Sequence, residues 1–258
     1  MRAAGAPIAF GLIVLGLWQA ACTAFHIPRI LLPAPTAIVA AFGGNLPLLG
    51  ADFVQTVLRS VLPGFALGSG AGFIVGLAVD ASPFLRRGVL PVASLAGALP
   101  IVGIAPIMVM WFGFDWQSKA AVAAVMTFFP MLVNTVAGLE APGAMERDLL
   151  RSYSASPWQT LEKLRLPAAL PYIFTALKLD TTLALIGAIV AEFFGTPTVG
   201  MGFRISTEAA RLDLDVVWAE TLVAAITGSA LFFGLAYLER LVTFWRPAFQ
   251  SGSEKEMR

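Results

Sequence analysis

Apolar positions in this chain fall in long unbroken runs, and short charged or proline-rich joints separate them. A helix needs about 20 apolar residues to cross a bilayer, and six runs are of that order. The first extends from Ile8 to Phe25, the third from Val89 to Phe114 and the fourth from Ala120 to Leu139, all without charge. The second, Phe53 to Val79, holds only Arg59 near its start. The fifth, Ile173 to Phe194, contains Lys178, Asp180 and Glu192, and the sixth, Trp218 to Trp245, carries Glu220, Glu239 and Arg240 near its ends. The runs are too long, and alternate too little, for strands of a membrane barrel. The pattern predicts an all-α integral membrane protein, a six-transmembrane-helix bundle forming one domain over residues 1–258.

Composition agrees: 58% of residues are hydrophobic and 13% charged, where a soluble domain is nearer half apolar and a quarter charged. A net charge of +1 leaves no basic footprint for nucleic acid, and one cysteine excludes a disulfide scaffold. With the N-terminus inside, the inner joints hold Arg2, Arg86, Arg87, Arg147, Arg151, Lys163, Arg165, Arg246, Lys255 and Arg258, ten in all. The outer joints then hold four, Arg29, Lys119, Arg204 and Arg211. This asymmetry predicts a multi-pass membrane protein with both termini cytoplasmic. The first run is read as an anchor rather than a signal peptide. It is long, and Trp18-Gln19 precedes Ala20-Ala21-Cys22 where a lipoprotein signal wants an aliphatic residue. Cys22 is expected to be a small membrane-buried residue.

Two joints have their own plan. After Leu31-Leu32-Pro33-Ala34-Pro35, Thr36 is placed to cap a short helix along the outer face. Thr196 to Val217 mixes glycine with Arg204, Glu208, Arg211, Asp213 and Asp215, too charged to cross, and is expected to pack at the outer surface.

Within the runs, Gly64, Gly68, Gly72 and Gly76 recur every fourth residue and form one smooth ridge. Such ridges let helix backbones approach closely in lipid, either as plain packing or as a moving or dimer-contacting face. Pro91, Pro100 and Pro106 interrupt the third run, either as structural kinks or as a bent pathway-lining helix. Asp180 follows Lys178 closely and is expected to lie shallow and solvated near the cytoplasmic end. Glu192 lies 12 residues further on, about 18 Å along the helix. Pro106, Asn134, Asp180 and Glu192 are the candidate pathway or gating residues.

The joint from Glu140 to Tyr172 is the most informative segment. Met145, Leu149 and Tyr153 recur at four-residue spacing, which predicts a helix with one apolar face. Ser154-Ala155 makes a break. Ser156 then caps a second helix, with Pro157 at its first position and Gln159 completing a capping box. Trp158, Leu161 and Leu164 line one side of it, and Pro167 is expected to end it. Charged residues, Asp148 among them, cover the other faces. Such an element suits docking on a soluble partner.

This joint resembles the signature loop of the permease subunits of ABC importers, whose pattern is Glu-Ala-Ala, three residues, Gly, nine residues, Ile, any residue, Leu-Pro. Leu164-Arg165-Leu166-Pro167 matches its end, with leucine for isoleucine; the glycine position falls on Ser154, followed by Ala155-Ser156, and the triplet on Asp148-Leu149-Leu150. The likeness covers at least residues 30 to 247, with a family-like core of about 50–247. Leu32-Pro33-Ala34-Pro35, Thr56 to Gly68, Pro106 to Gly113 and Ala184 to Glu192 resemble the branch serving nitrate, sulfonate, taurine and thiamine-precursor uptake. Phe128 to Thr135 looks more like permeases for the thiamine pyrimidine precursor or riboflavin. The resemblance implies a coupling helix in loop 140–172, working through Asp148, Tyr153, Ser154, Ala155, Ser156, Trp158, Leu161, Leu164, Leu166 and Pro167. It also implies two ATPase subunits, a second permease subunit that is the same chain or a related one, and a periplasmic or lipoprotein substrate-binding protein.

No Gly-x-x-x-x-Gly-Lys-Ser/Thr loop is present, so ATP and Mg are expected on the ATPase partners and no cofactor on this chain. No histidine or cysteine cluster could hold a metal, and no enzymatic activity is expected. The rival reading is an ion-coupled secondary carrier using Asp180 and Glu192. A membrane-embedded enzyme is a third, but these two carboxylates lie too far apart to act as a pair.

Overall fold

The structure, a computed structural model, describes residues 5–97, 100–195 and 198–244, and among them every regular element is helical. In chain order these are α1 (Gly5–Ala24), α2 (Pro35–Gly44), α3 (Leu46–Phe53), α4 (Leu62–Ala81), α5 (Pro83–Ala96), α6 (Ile101–Phe112) and α7 (Trp116–Glu140). There follow α8 (Ala144–Ser152), α9 (Pro157–Thr160), α10 (Leu166–Glu192), α11 (Met201–Ala210) and α12 (Leu214–Val242). Two π-helical stretches, Val54–Val61 and Leu161–Arg165, join α3 to α4 and α9 to α10 without a break.

Among the described residues, four helices are long and apolar enough to cross a membrane: Leu46–Ala81, Trp116–Glu140, Pro157–Glu192 and Leu214–Val242. The other two runs predicted to cross fall on shorter elements, α1 and the broken pair α5 and α6. The second span therefore starts seven residues before Phe53 and takes in Asp52. The third is two helices rather than the single run Val89 to Phe114: Pro91 lies inside α5, Pro100 caps α6 in an extended conformation and Pro106 lies inside α6. Trp245, expected in the sixth span, lies outside the described residues.

Pro167 does not end the loop helix, which continues as one 36-residue rod to Glu192. A proline ring collides with the carbonyl four residues back and offers no N–H to it. That carbonyl belongs to Lys163, inside the π stretch, where the wider turn moves it aside. Pro63 follows the other π stretch in the same register, its threatened carbonyl being that of Arg59.

The core is α4, α7 and α10. A side chain on Gly64 would strike Ala120 and Ala123, one on Gly68 would strike Ala124 and Thr127, one on Gly72 Phe128 and Met131, and one on Gly76 Thr135. Both sets of numbers rise together, so α4 and α7 run parallel along the glycine ridge. Gly138 meets Ala169 and Tyr172 while Gly187 meets Ala123, so α10 runs antiparallel to α7. Lipid offers little hydrophobic drive between helices, and this close backbone approach supplies dispersion contact instead.

Around this core the remaining helices pack more loosely. Most of the large side chains of α1 are exposed, and α1 is held near its end by Trp18 against Trp218 (5.2 Å between ring centres). Cys22 is buried and its thiol points to the carbonyl of Leu32. The short helix α2 begins at Pro35 behind Ala34. Thr36 is not its cap; its N–H donates to Gln19 Oε1 (3.2 Å) instead, because proline already occupies the first helical position.

Candidate functional site

The loop between α7 and α10 is built from local rules. Gly143 N–H donates to Glu146 Oε2 (2.9 Å) and opens α8. The helix closes with Ala155 N–H donating to Leu150 O (3.0 Å) and Ser154 N–H to Arg151 O (2.9 Å). This closure needs a left-handed residue, and Ser154 supplies it at φ +55°. Ser156 Oγ then accepts Gln159 N–H (3.2 Å), Gln159 Oε1 accepts Ser156 N–H (2.8 Å), and Pro157 takes the first position of α9.

Met145, Leu149, Tyr153 and Trp158 are exposed by 86, 56, 77 and 69%. These are four large apolar side chains standing out of one capped element, with Asp148 paired to Arg151 (3.2 Å) beside them. Leu161 and Leu164, expected on the same outward face, are half-buried, as are Leu166 and Pro167. The π stretch turns them toward the bundle as the rod enters α10. The outward face is thus carried by α8 and the start of α9.

Three polar ties join the rod Pro157–Glu192 to the helix Leu46–Ala81. At the loop end, Arg165 Nη2 donates to Asp80 Oδ1 (2.6 Å) and Nε to Leu139 O (3.0 Å). In the middle, Ser69 Oγ donates to Asp180 Oδ2 (2.8 Å). At the far end, Thr56 Oγ1 donates to Glu192 Oε1 (2.8 Å). Asp180 is therefore wholly buried and not shallow. Two residues along a helix turn about 200°, so Lys178 faces α12, where it meets Glu239 (2.7 Å), while Asp180 faces α4.

The far end carries a knot of polar groups. Gly202 N–H donates to Glu192 Oε2 (2.7 Å), Met201 N–H to Thr56 Oγ1 (2.8 Å) and Gly200 N–H to Asp52 Oδ1 (2.6 Å). Arg204 Nε completes Asp52 (2.9 Å), and its Nη1 lies 3.7 Å from Glu208 Oε1. Three free N–H groups at the start of α11 are thus capped by side chains from other helices, with two carboxylates at the positive end of its dipole. Gly200 and Gly202 leave room for this, since a side chain on Gly202 would overlap the carbonyl of Ile189. Lys119, placed in an outer loop by its charge, is buried in the first turn of α7 and donates to Phe114 O (2.5 Å).

Of the candidate pathway residues, Asn134 is satisfied on its own helix, donating to Pro130 O (2.8 Å), and Pro106 is half-buried in α6. Asp180 and Glu192 serve as cross-ties. Asp52, Thr56, Ser69, Asp80 and Arg204 carry these ties without having stood out in the sequence. The available signal is a helix starting at Met201 behind Gly200, a cap position with no side chain of its own. That start calls for an acceptor from elsewhere, and nothing local says which.

The structure is thus a bundle of long apolar helices with a capped, outward-facing loop at one end. Residues 68–244 match the family described as the binding-protein-dependent transport system inner membrane component, and the chain belongs to that family. It is 30% identical to a probable ABC transporter permease of Haemophilus influenzae, over 88% of this chain and 91% of that one. It is 31% identical to the riboflavin transport system permease of Chloroflexus aurantiacus, over 94% and 90%. To the formylaminopyrimidine transport permease of Halalkalibacterium halodurans it is 29% identical, over 93% and 95%. Its fold is similar to that of an inward-facing MetNI methionine ABC transporter (TM-score 0.63, 19% identity, covering 78% of this chain and 98% of that one). The chain is a permease subunit of an ATP-driven importer, and the secondary-carrier alternative is set aside.

Proposed function

We propose that two such permease subunits line the pathway of one importer, that the loop end faces the cytoplasm, and that the outward face of α8 and the start of α9, from Met145 to Trp158, docks in the ATPase subunits. A binding protein delivers the solute at the far end. ATP and Mg act on the ATPase subunits and not on this chain. The observation that carries this reading is the exposed row Met145, Leu149, Tyr153 and Trp158 on a capped element. Each such side chain contributes about 1.5–3 kcal/mol when fully covered.

For the solute we take the class of small nitrogen heterocycles, as in the names of the formylaminopyrimidine and riboflavin relatives. The likeness of Phe128 to Thr135 supports it. So does the engagement of Lys119 with the carbonyl of Phe114, which leaves this buried cation no role as a counter-charge for an anion.

The docking test is Leu149→Asp and Trp158→Asp, with capture of the ATPase subunit through a tag on this chain. Both variants should insert normally and lose the ATPase. Leu164→Asp is the poorer probe, because Leu164 already packs within the chain. Normal capture by both exposed-site variants would remove the docking role from this loop. Uptake of labelled formylaminopyrimidine and taurine by the reconstituted complex decides the solute class, and uptake of taurine alone would overturn it.

A further inference from the structure

We propose that Arg165 is the positioning residue through which the docking loop moves the bundle, a proposal that rests on the loop being where the ATPase subunits push. No break separates Trp158 from Arg165, which lies seven residues further along the same rod, about 10 Å away. A displacement of α9 is therefore delivered at the Arg165 guanidinium. That group is forked between two helices, donating to Asp80 in the last turn of α4 and to the carbonyl of Leu139 in the last turn of α7.

Each of those helix ends has a deficit that Arg165 meets. A carboxylate at a helix C-terminus is repelled by the helix dipole and requires a cation. A carbonyl among the last four of a helix has no partner within it. One planar guanidinium serves both, which a lysine ammonium does with only one contact at a time. The Asp80 and Arg165 side chains are 6% and 24% exposed, so this is not a screened surface pair. Arg86, the neighbouring cation, is engaged with Glu140 and ties α5 to α7 instead. Beyond the clamp, α4 and α7 are locked side by side along Gly64, Gly68, Gly72 and Gly76. Force applied at their two ends by one side chain moves them as a unit.

The test uses the importer complex purified from its own cells through a tag on this chain, reconstituted in vesicles. Ser206→Cys in a Cys22→Ala background reports on the far end, read as the rate of labelling by a membrane-impermeant maleimide with and without ATP plus vanadate. With Arg165 intact, the nucleotide should change that rate several-fold. Arg165→Gln and Asp80→Asn should each retain the ATPase subunit and its hydrolysis, yet lose most of the nucleotide-dependent change. The double exchange Asp80→Arg with Arg165→Asp restores the link to α4 but not the donor to Leu139 O, so it should recover a measurable part of the change over either single variant, which a merely destabilised bundle would not. A full nucleotide response in Arg165→Gln would overturn the proposal and leave the docking reading standing. Loss of the ATPase subunit from Arg165→Gln would also overturn it, making Arg165 part of the docking face. If the parent chain itself retains no ATPase subunit, the docking reading fails, and the proposal with it.

Discussion

Thr56 and Glu192 are 136 residues apart in sequence and 2.8 Å apart in the fold, where one hydroxyl donates to one carboxylate oxygen. The same hydroxyl accepts the N–H of Met201 and the same carboxylate accepts that of Gly202. Two side chains therefore fix the meeting of three elements: the π stretch before α4, the end of α10 and the start of α11. Together with Ser69 to Asp180 and Asp80 to Arg165, the contact makes an antiparallel series of ties between two 36-residue helices. From Thr56 to Asp80 the series spans 24 residues, about 36 Å of helix, which is the depth of a bilayer's hydrocarbon core and part of its interface. The loop-bearing rod is thus held to its neighbour at both ends and in the middle.

Removing the far tie should cost stability with little change in shape. Thr56→Val is nearly isosteric, and it strands the Met201 N–H and one oxygen of Glu192 in a fully buried place. A buried polar group left without a partner costs about 1–3 kcal/mol. Glu192→Gln should do similar damage, since its amide turns a donor toward either the Gly202 N–H or the Thr56 hydroxyl. Thermal unfolding of the purified chain in detergent should fall by several degrees for each. An unchanged midpoint in both variants would mean that the knot contributes nothing.

Glycine substitutions should separate the packed ridge from its neighbours. A side chain on Gly68 would overlap the Thr127 hydroxyl and the Ala124 backbone, whereas one on Gly70 meets nothing within 4 Å. Gly68→Leu and Gly72→Leu should therefore lower the yield of folded protein sharply, and Gly70→Leu should not. Size-exclusion profiles of the three variants give the answer. Equal behaviour of Gly68→Leu and Gly70→Leu would contradict the parallel packing of α4 on α7.

What was legible in the sequence was local. The glycine ridge shows in a four-residue period, and the restart of the loop helix shows in Ser156, Pro157 and Gln159, because a capping box is written within four residues. What was not legible depends on which helix lies beside which. Asp52 and Arg204 meet across 152 residues, and no short-range rule relates them. Asp180 reads as shallow because it follows Lys178, yet helical geometry sends the two to opposite sides. Pro167 reads as a stop because the ordinary α register forbids it, and the π stretch that admits it has no residue signature of its own. Lys119 counted as an external charge, but a buried ammonium is acceptable where a carbonyl such as that of Phe114 is aimed at it.

Orientation is directly testable. Ser152 and Ser206 are both exposed, one on the docking loop and the other on α11 at the opposite end. In a Cys22→Ala background, Ser206→Cys should react with an impermeant maleimide added to intact cells, and Ser152→Cys only after the membrane is opened. Reaction of both from outside would refute the six-span arrangement with cytoplasmic termini.

Ser154 offers the most discriminating change in the loop. It occupies a left-handed conformation at φ +55°, which costs a residue with a side chain about 1–2 kcal/mol and glycine almost nothing. Ser154→Gly should relieve that strain, partly offset by the greater freedom glycine has when unfolded. The variant should dock the ATPase subunit at least as well as the parent and resist limited proteolysis between Arg151 and Trp158 as well or better. Ser154→Ile should fail on both counts, because a β-branched residue is a genuine outlier in that region. The turn would then open and the row formed by Met145, Leu149, Tyr153 and Trp158 would lose its alignment. Capture of the ATPase subunit and a proteolysis time course on the same membranes decide the matter. Retention of both properties by Ser154→Ile would show that the turn at Ser154 does not set the geometry of the docking face.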